Sequence, residues 1–394
     1  MIYIYGKKRS TIAGIILSLL FPLLLTGCWS HRDLAEINIV AGMGLDRTED
    51  GKILLTVQVV EPNAIQATSS GKGKGGGPQQ KPVFVVSYEG ETVFEALSGI
   101  LSIVDKRLFL STIQVLILGE RLSQEGIEEV LDSIQRDNEI DYSMDVIVTK
   151  DVSPKEILEM ESDMDAIPAV YVRETVANTD LRGTVKRTMF IDLIKDLGNK
   201  GKQPTLGQVS KIGDKDVRTE GTAVFKDGKL TGWLDRYETL GYLFAVGKVK
   251  GAIVNVTKDE GKITMEIIRS RGGVKVKFEN GEPTVLSVKV DAEANVAGYE
   301  GKGRLDSTEN MNVLKKILEN EIEREIMSAL EKTQKEYSSD IFGFGTYVRK
   351  YHPQYWKIAE KDWNELFSKL PVDIQVNAKI MRTGIIKCPI NMGE

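Results

Sequence analysis

The chain has two cysteines and two histidines in 394 residues. Two cysteines cannot build a disulfide framework, and a zinc site made of thiolates has no material. Only His31 and His352 are available for imidazole chemistry, which argues against His-based metal sites and against Ser-His-Asp or Cys-His catalysis. Positive charge is also short. The 52 Lys and Arg stand against 57 Asp and Glu, a net charge of −5, so nucleic acid is not an expected partner. After residue 28 no apolar run approaches spanning length, and no internal repeat has a solenoid period. No catalytic residue, cofactor or metal ligand is therefore indicated. What is present is 41% hydrophobic and 28% charged, the balance of a globular protein, in a length that predicts two or three domains.

The first 28 residues are unlike the rest. Lys7, Lys8 and Arg9 form a basic flank, and Thr11 to Leu25 is a nearly unbroken apolar stretch. At about 15 residues it matches the apolar region of a signal peptide and falls short of the roughly 20 that span a bilayer. Leu25-Thr26-Gly27-Cys28 follows and resembles a bacterial lipobox: a bulky apolar residue, two small residues, then cysteine. Small side chains let the backbone enter a peptidase cleft, and the thiol accepts a diacylglyceryl group before cleavage. Residues 1–27 are thus expected to be a lipoprotein signal peptide, with Cys28 as lipidated residue one of the mature chain. Cleavage removes Lys7, Lys8 and Arg9 and leaves a more acidic body, which anionic headgroups do not attract, so the acyl chains must do the holding.

Beyond the leader the pattern predicts an α+β protein of three mixed units: an N-terminal unit at 28–195, a small middle unit at 196–247, and a C-terminal unit at 248–394. In the first, Ile37–Leu45 and Ile53–Val60 read as strands joined by a turn at Glu49-Asp50-Gly51, and Val83–Tyr88 as a third. Residues 69–82 are a Gly/Lys/Gln tract without GxxxxGK[ST], hence a surface loop rather than a phosphate cradle. Thr92–Val104 and Ile127–Ile134 carry helical apolar faces, and Gln114–Leu118 and Met144–Val148 are strand-like. Ser153-Pro154-Lys155-Glu156 opens a helix with an N-cap, Pro at the first position and Glu at N3. Val170–Asn178 and Phe190–Leu197 continue as helices. Asn199–Gly213, rich in Gly and Lys, reads as a linker. In the middle unit Gly221–Phe225 is a strand turning at Asp227-Gly228.

The third unit is β-rich. Ala252–Val256, Ile263–Ile268, Gly273–Phe278 and Val285–Ala294 predict an antiparallel meander. A long helix follows, with Asp306 as expected N-cap and Glu309 at N3. Its stripe of Leu314, Ile317, Leu318, Ile322, Ile326, Ala329 and Leu330 must lie on the sheet. The acidic run Glu319–Glu325 reads as a solvated helix face. Ile341–Gly345 breaks the helix and is expected to be exposed. Tyr347, Tyr351, Tyr355, Trp356, Trp363 and Phe367 read as packing onto the sheet, with His352 among them. Asp373–Met381 is a last strand, and Cys388 a lone thiol.

Seven short stretches then carry a resemblance. They are CWSHRD from Cys28 to Asp33, IVAGMGLD from Ile39 to Asp46, QVLILGE from Gln114 to Glu120, GWLD from Gly232 to Asp235, ETLGYL from Glu238 to Leu243, DIFGFG from Asp340 to Gly345, and KDWN from Lys361 to Asn364. In this order and spacing they resemble the Ger(x)C family, the lipoprotein C subunits of spore germinant receptors, over nearly the whole chain. The resemblance implies three α+β domains and a subunit held by lipid on the outer face of the cytoplasmic (spore inner) membrane. It also implies partnership with the membrane-embedded A subunit and the permease-like B subunit. The family has no established catalytic residues, so only the lipidated Cys28 carries over.

Two other readings are weighed against it. A lipid-anchored solute-binding protein would call for two doubly wound lobes, which the β-meander and single long helix do not suggest. An extracytoplasmic hydrolase acting on peptidoglycan would, as a glycosidase, need two carboxylates roughly 5–10 Å apart, which sequence alone does not place.

Overall fold

A computed structural model describes residues 36–62, 64, 81–258, 261–301 and 307–382. The signal peptide, the lipobox with Cys28, His31, nearly all of the 69–82 loop, Asp306 and Cys388 lie outside the described residues. Among the described residues fourteen strands form two sheets. The first is built by β1 (Ile37–Arg47), β2 (Ile53–Val60), β3 (Val83–Gly90), β4 (Arg107–Phe109), β5 (Val115–Leu118), β6 (Asp145–Thr149), β7 (Thr205–Ile212), β8 (Asp216–Arg218), β9 (Thr222–Lys226) and β10 (Lys229–Leu234). Its order is β10-β9-β7-β6-β5-β1-β2-β3, with β4 paired to β1 and β8 to β7. The central four, β1, β5, β6 and β7, run parallel. Antiparallel hairpins close both flanks.

Parallel neighbours need long crossovers, and these are helical. Helices 120–125 and 128–135 join β5 to β6; helices 154–159, 168–180 and 190–197 join β6 to β7. Both sheet faces are therefore covered. Leu116 and Leu118 point into one core with the 93–101, 128–135 and 190–197 helices. Val115 and Ile117 point into the other, beneath the 154–159 and 168–180 helices. On that second face Gly42 and Gly44 of β1 are obligatory. A Cβ on Gly42 would lie 2.7 Å from Ala169 Cβ, and one on Gly44 2.8 Å from Pro154 Cβ. The buried Gln58 adds a polar tie, donating to Leu158 O (2.5 Å) and accepting from Ala169 N (3.1 Å). The capping box expected at Ser153 and Glu156 is present in full.

Residues 199–213, expected as a linker, contain β7, which lies between β6 and β9. Thr205, Leu206 and Val209 are fully buried there. The strands of the expected middle unit thus continue the first sheet, so the boundary at 195/196 does not separate two sheets.

The second sheet has the order β11-β12-β13-β14, formed by Ala252–Lys258, Gly261–Glu279, Glu282–Glu300 and Val372–Arg382. The first three are antiparallel, with the expected separate strands at 263–268 and 273–278 fused into one. The last strand, outside the expected meander, pairs with β13 in parallel. The long helix Thr308–Lys332 between them is the crossover that parallel pairing requires. Its cap is Ser307, whose side chain accepts from Asn310 N at 3.1 Å, one residue beyond the expected position. Leu314, Leu318, Ile322, Ile326, Ala329 and Leu330 are fully buried against the sheet. Among the described residues no helix is long and apolar enough to cross a membrane.

Candidate functional site at the seam between the sheets

Polar groups concentrate where the two sheets meet, and the helix Arg236–Ala245 begins the seam. Asp235 caps it and Glu238 completes the capping box, with both reciprocal bonds at 2.8 Å. Glu238 is buried and takes a further bond from Lys332 Nζ (2.8 Å) at the end of the long helix. One turn on, Gly241 meets the long helix backbone to backbone: a Cβ there would lie 2.0 Å from Glu325 O. Tyr242 next to it is fully buried, its hydroxyl 3.2 Å from Thr205 Oγ1 at the start of β7. The ETLGYL stretch is therefore a clasp: an ion pair, a close approach and an inter-sheet hydroxyl contact.

The DIFGFG stretch ties a second knot. Asp340 is 1% exposed. Its Oδ1 accepts from the backbone N–H of Phe342 (3.1 Å), Gly343 (2.9 Å) and Phe344 (3.3 Å). Its Oδ2 accepts from Gly345 N (2.8 Å) and Trp363 Nε1 (2.9 Å). Burial pushes this carboxyl up from its ordinary range, and the donors act in the opposite sense. The knot reaches the first sheet through Gln203 N, which donates to Asp340 O (2.8 Å), and through Thr346 N, which donates to Gly201 O (2.8 Å). Ser339 Oγ donates to Phe225 O of β9 (2.6 Å). Tyr337 OH donates to Trp233 O (2.9 Å) and accepts from Trp233 N (3.2 Å), which explains the GWLD stretch. The Ile341–Gly345 segment, expected to be exposed, is instead buried, because its amides are the donors of the Asp340 cage.

A cleft of about 480 Å³ opens beside the knot, between residues 196–204, the β9–β10 turn and residues 360–365. It is polar, and two ion pairs lie within it: Lys200 with Glu360 (2.6 Å) and Lys202 with Asp196 (2.8 Å). Glu325 is different. It is buried between the two helices, with Oε2 lacking any hydrogen-bond partner. Burial, reinforced by Glu321, pushes its carboxyl up to about 8. Tyr237, bonded to Glu321 (3.2 Å), is pushed up to about 12, chiefly by burial.

The aromatic series packs as expected except for Tyr351, which is 56% exposed. His352 stacks on Phe278 of β12 at 3.7 Å, and Tyr355 meets the same ring edge-on. Among the described residues no cluster of three His, Cys, Asp or Glu could hold a metal ion. The roles of Asp340 and Gly241 are not predicted from sequence, and Glu325, expected on a solvated face, is buried. The available signal for Asp340 is its place three residues before Gly-x-Gly after a helix.

Comparison with known proteins identifies the family. The model "Spore germination protein N-terminal domain" matches residues 30–211, and "Spore germination B3/ GerAC like, C-terminal" matches residues 220–384. The chain belongs to the Ger(x)C family. Spore germination protein KC of Bacillus subtilis (strain 168) is 28% identical, over 95% of this chain and 96% of that protein. Spore germination protein B3 of the same strain is 27% identical, over 92% and 96%. The crystal structure of the GerBC protein matches with a TM-score of 0.56 at 21% identity. It covers 86% of this chain and 97% of that one, and so shares the fold. The first family segment ends before β9 and β10, so the second segment supplies the last strands of the first sheet.

Proposed function

We propose that the chain is the C subunit of a nutrient germinant receptor. In this reading it is lipidated at Cys28, held on the outer face of the spore inner membrane, and acts by contact with the A and B subunits rather than by catalysis. The supporting observation is the match to spore germination proteins along nearly the full length of both partners in each comparison. The seam agrees with a role in transmitting or bracing force. Apart from Glu325, the charged groups named there pair with each other or with backbone amides, and the Lys332–Glu238 and Lys200–Glu360 pairs link segments far apart in the chain. Replacing Cys28 with Ala tests the reading. The N-terminal peptide should then lack the lipid mass increment, and nutrient-triggered germination should fall while vegetative growth stays normal. Full germination without Cys28, or a wild-type peptide with no lipid, would defeat it.

A solute-binding role has the polar cleft in its favour. Titration of the purified body with amino acids and sugars decides it: heat of binding that disappears in Lys200→Ala would support that role over the coupling role.

A further inference from the structure

We propose that the outer face of helix Val93–Leu101 and the turn that follows it rest on the lipid bilayer, as a second membrane contact beside the acyl anchor. The proposal depends on lipidation of Cys28. Phe94 and Leu101 are each 47% exposed and Ile103 is 57% exposed, the densest run of bared large apolar side chains among the described residues of the first unit. Phe94 and Leu101 lie two turns apart on one helix face, with the half-buried Leu97 between them. From Phe94 to Val104 the one ionisable side chain is Glu95, and it is used to accept from Glu91 N at the helix start (2.8 Å). An exposed strip of this kind marks a contact surface.

The tether says which surface. Eight residues, and so nine Cα–Cα steps, separate Cys28 from Ile37, the first residue of β1. Fully extended they reach about 30 Å. The turn after the helix touches the very start of β1: Asn38 Nδ2 donates to Lys106 O (3.3 Å) and Asp105 Oδ1 (3.4 Å). A lipid on Cys28 therefore keeps this corner near the bilayer. Charge is graded along the helix to suit. Glu89, Glu91 and Glu95 gather at its start, and beyond its end Lys106 and Arg107 lie next to the tether with the exposed Asp105 beside them. Arg107 is engaged with Glu139, so the attraction is mainly apolar, with Lys106 able to reach the headgroups.

The test uses the full-length lipidated chain in phosphatidylethanolamine/phosphatidylglycerol vesicles. An environment-sensitive fluorophore is placed at Ile103→Cys in a Cys388→Ser background, with spin-labelled lipids as quenchers. Asp214→Cys is the control. It is fully exposed and follows β7, whose parallel register with β1 through β5 and β6 puts it at the opposite end of the sheet. Quenching at 103 should exceed that at 214 several-fold. Equal quenching, with the protein floating on the vesicles and its N-terminal peptide carrying lipid, would overturn the contact and leave the anchor standing. Shielding at 103 only when the receptor partners are added would reassign the strip to a protein interface and equally overturn it. Failure to float, with no lipid on the peptide, would remove the anchoring reading and this contact together.

Discussion

The two sheets bury themselves in opposite ways. In the first, β5 is buried on both faces: Val115, Leu116, Ile117 and Leu118 are all fully inaccessible. In the second, β11 alternates, with Ala252, Val254 and Val256 buried and Ile253, Asn255 and Thr257 exposed. Crossover helices on both sides of a parallel centre produce the first pattern, and one long helix on one side produces the second. The difference matters at the seam. A sheet sealed on both faces can be joined only through its flank, and the β9–β10 hairpin serves as that flank. Ala223 and Phe225 point into the first core while Val224 points into the second. Burial there is shared, so the seam polar groups act on a structure that is already continuous.

The contrast can be broken most forcefully at Asp340. Changing it to Ala leaves four amides and an indole N–H without their acceptor inside a dry knot. It should cost about 3–5 kcal/mol. Urea unfolding followed by tryptophan fluorescence reads this out, and a cost below about 1 kcal/mol would show that the carboxylate does not hold the seam. Gly241→Ala should follow, at about 2–3 kcal/mol, because its Cβ would collide with Glu325 O. A neutral effect would mean the two helices have room to part.

Glu325 sharpens the comparison through pH. Its folded-state pKa, about 8, lies above the ordinary 4.5. The native chain therefore binds a proton that the unfolded chain has released. This contribution is fully present below about pH 4.5, is lost as pH rises through about 8, and is flat above that. The slope in between is at most about 1.4 kcal/mol per pH unit. Glu325→Gln should flatten stability over that window and leave the variant more stable than the parent at pH 8. Arg236 and Arg324 lower the pKa and Glu321 raises it, so an unchanged slope would place the proton elsewhere. The smallest effect is expected for Tyr337→Phe, which removes a hydroxyl bound to both backbone groups of Trp233. Denaturation should show a loss of about 1 kcal/mol.

Elements whose own residues specify them were legible. β2 and the 190–197 helix fall where the apolar periodicity puts them, and the Ser153 cap follows from local spacing alone. β7 was not legible, because its Gly207 and Lys211, following Gly201 and Lys202, look like linker composition. Its burial comes from β6 and β9, which no local window contains. Asp340 was hidden for a related reason. Its partners are the next turn of backbone and Trp363, and their convergence is a property of the fold. The same holds for Glu325, whose place on an acidic run suggested solvent but whose helix face is covered by Gly241.

The central claim is that this body works through partners rather than chemistry. It is tested most directly by affinity capture of the tagged full-length chain from detergent-solubilised spore inner membranes, with mass spectrometry of everything that elutes. The account predicts a permease-like subunit and a larger membrane-embedded subunit in the eluate, together with an N-terminal peptide that begins at lipid-modified Cys28. Recovery of the chain alone, or with transporter ATPase components, would contradict it.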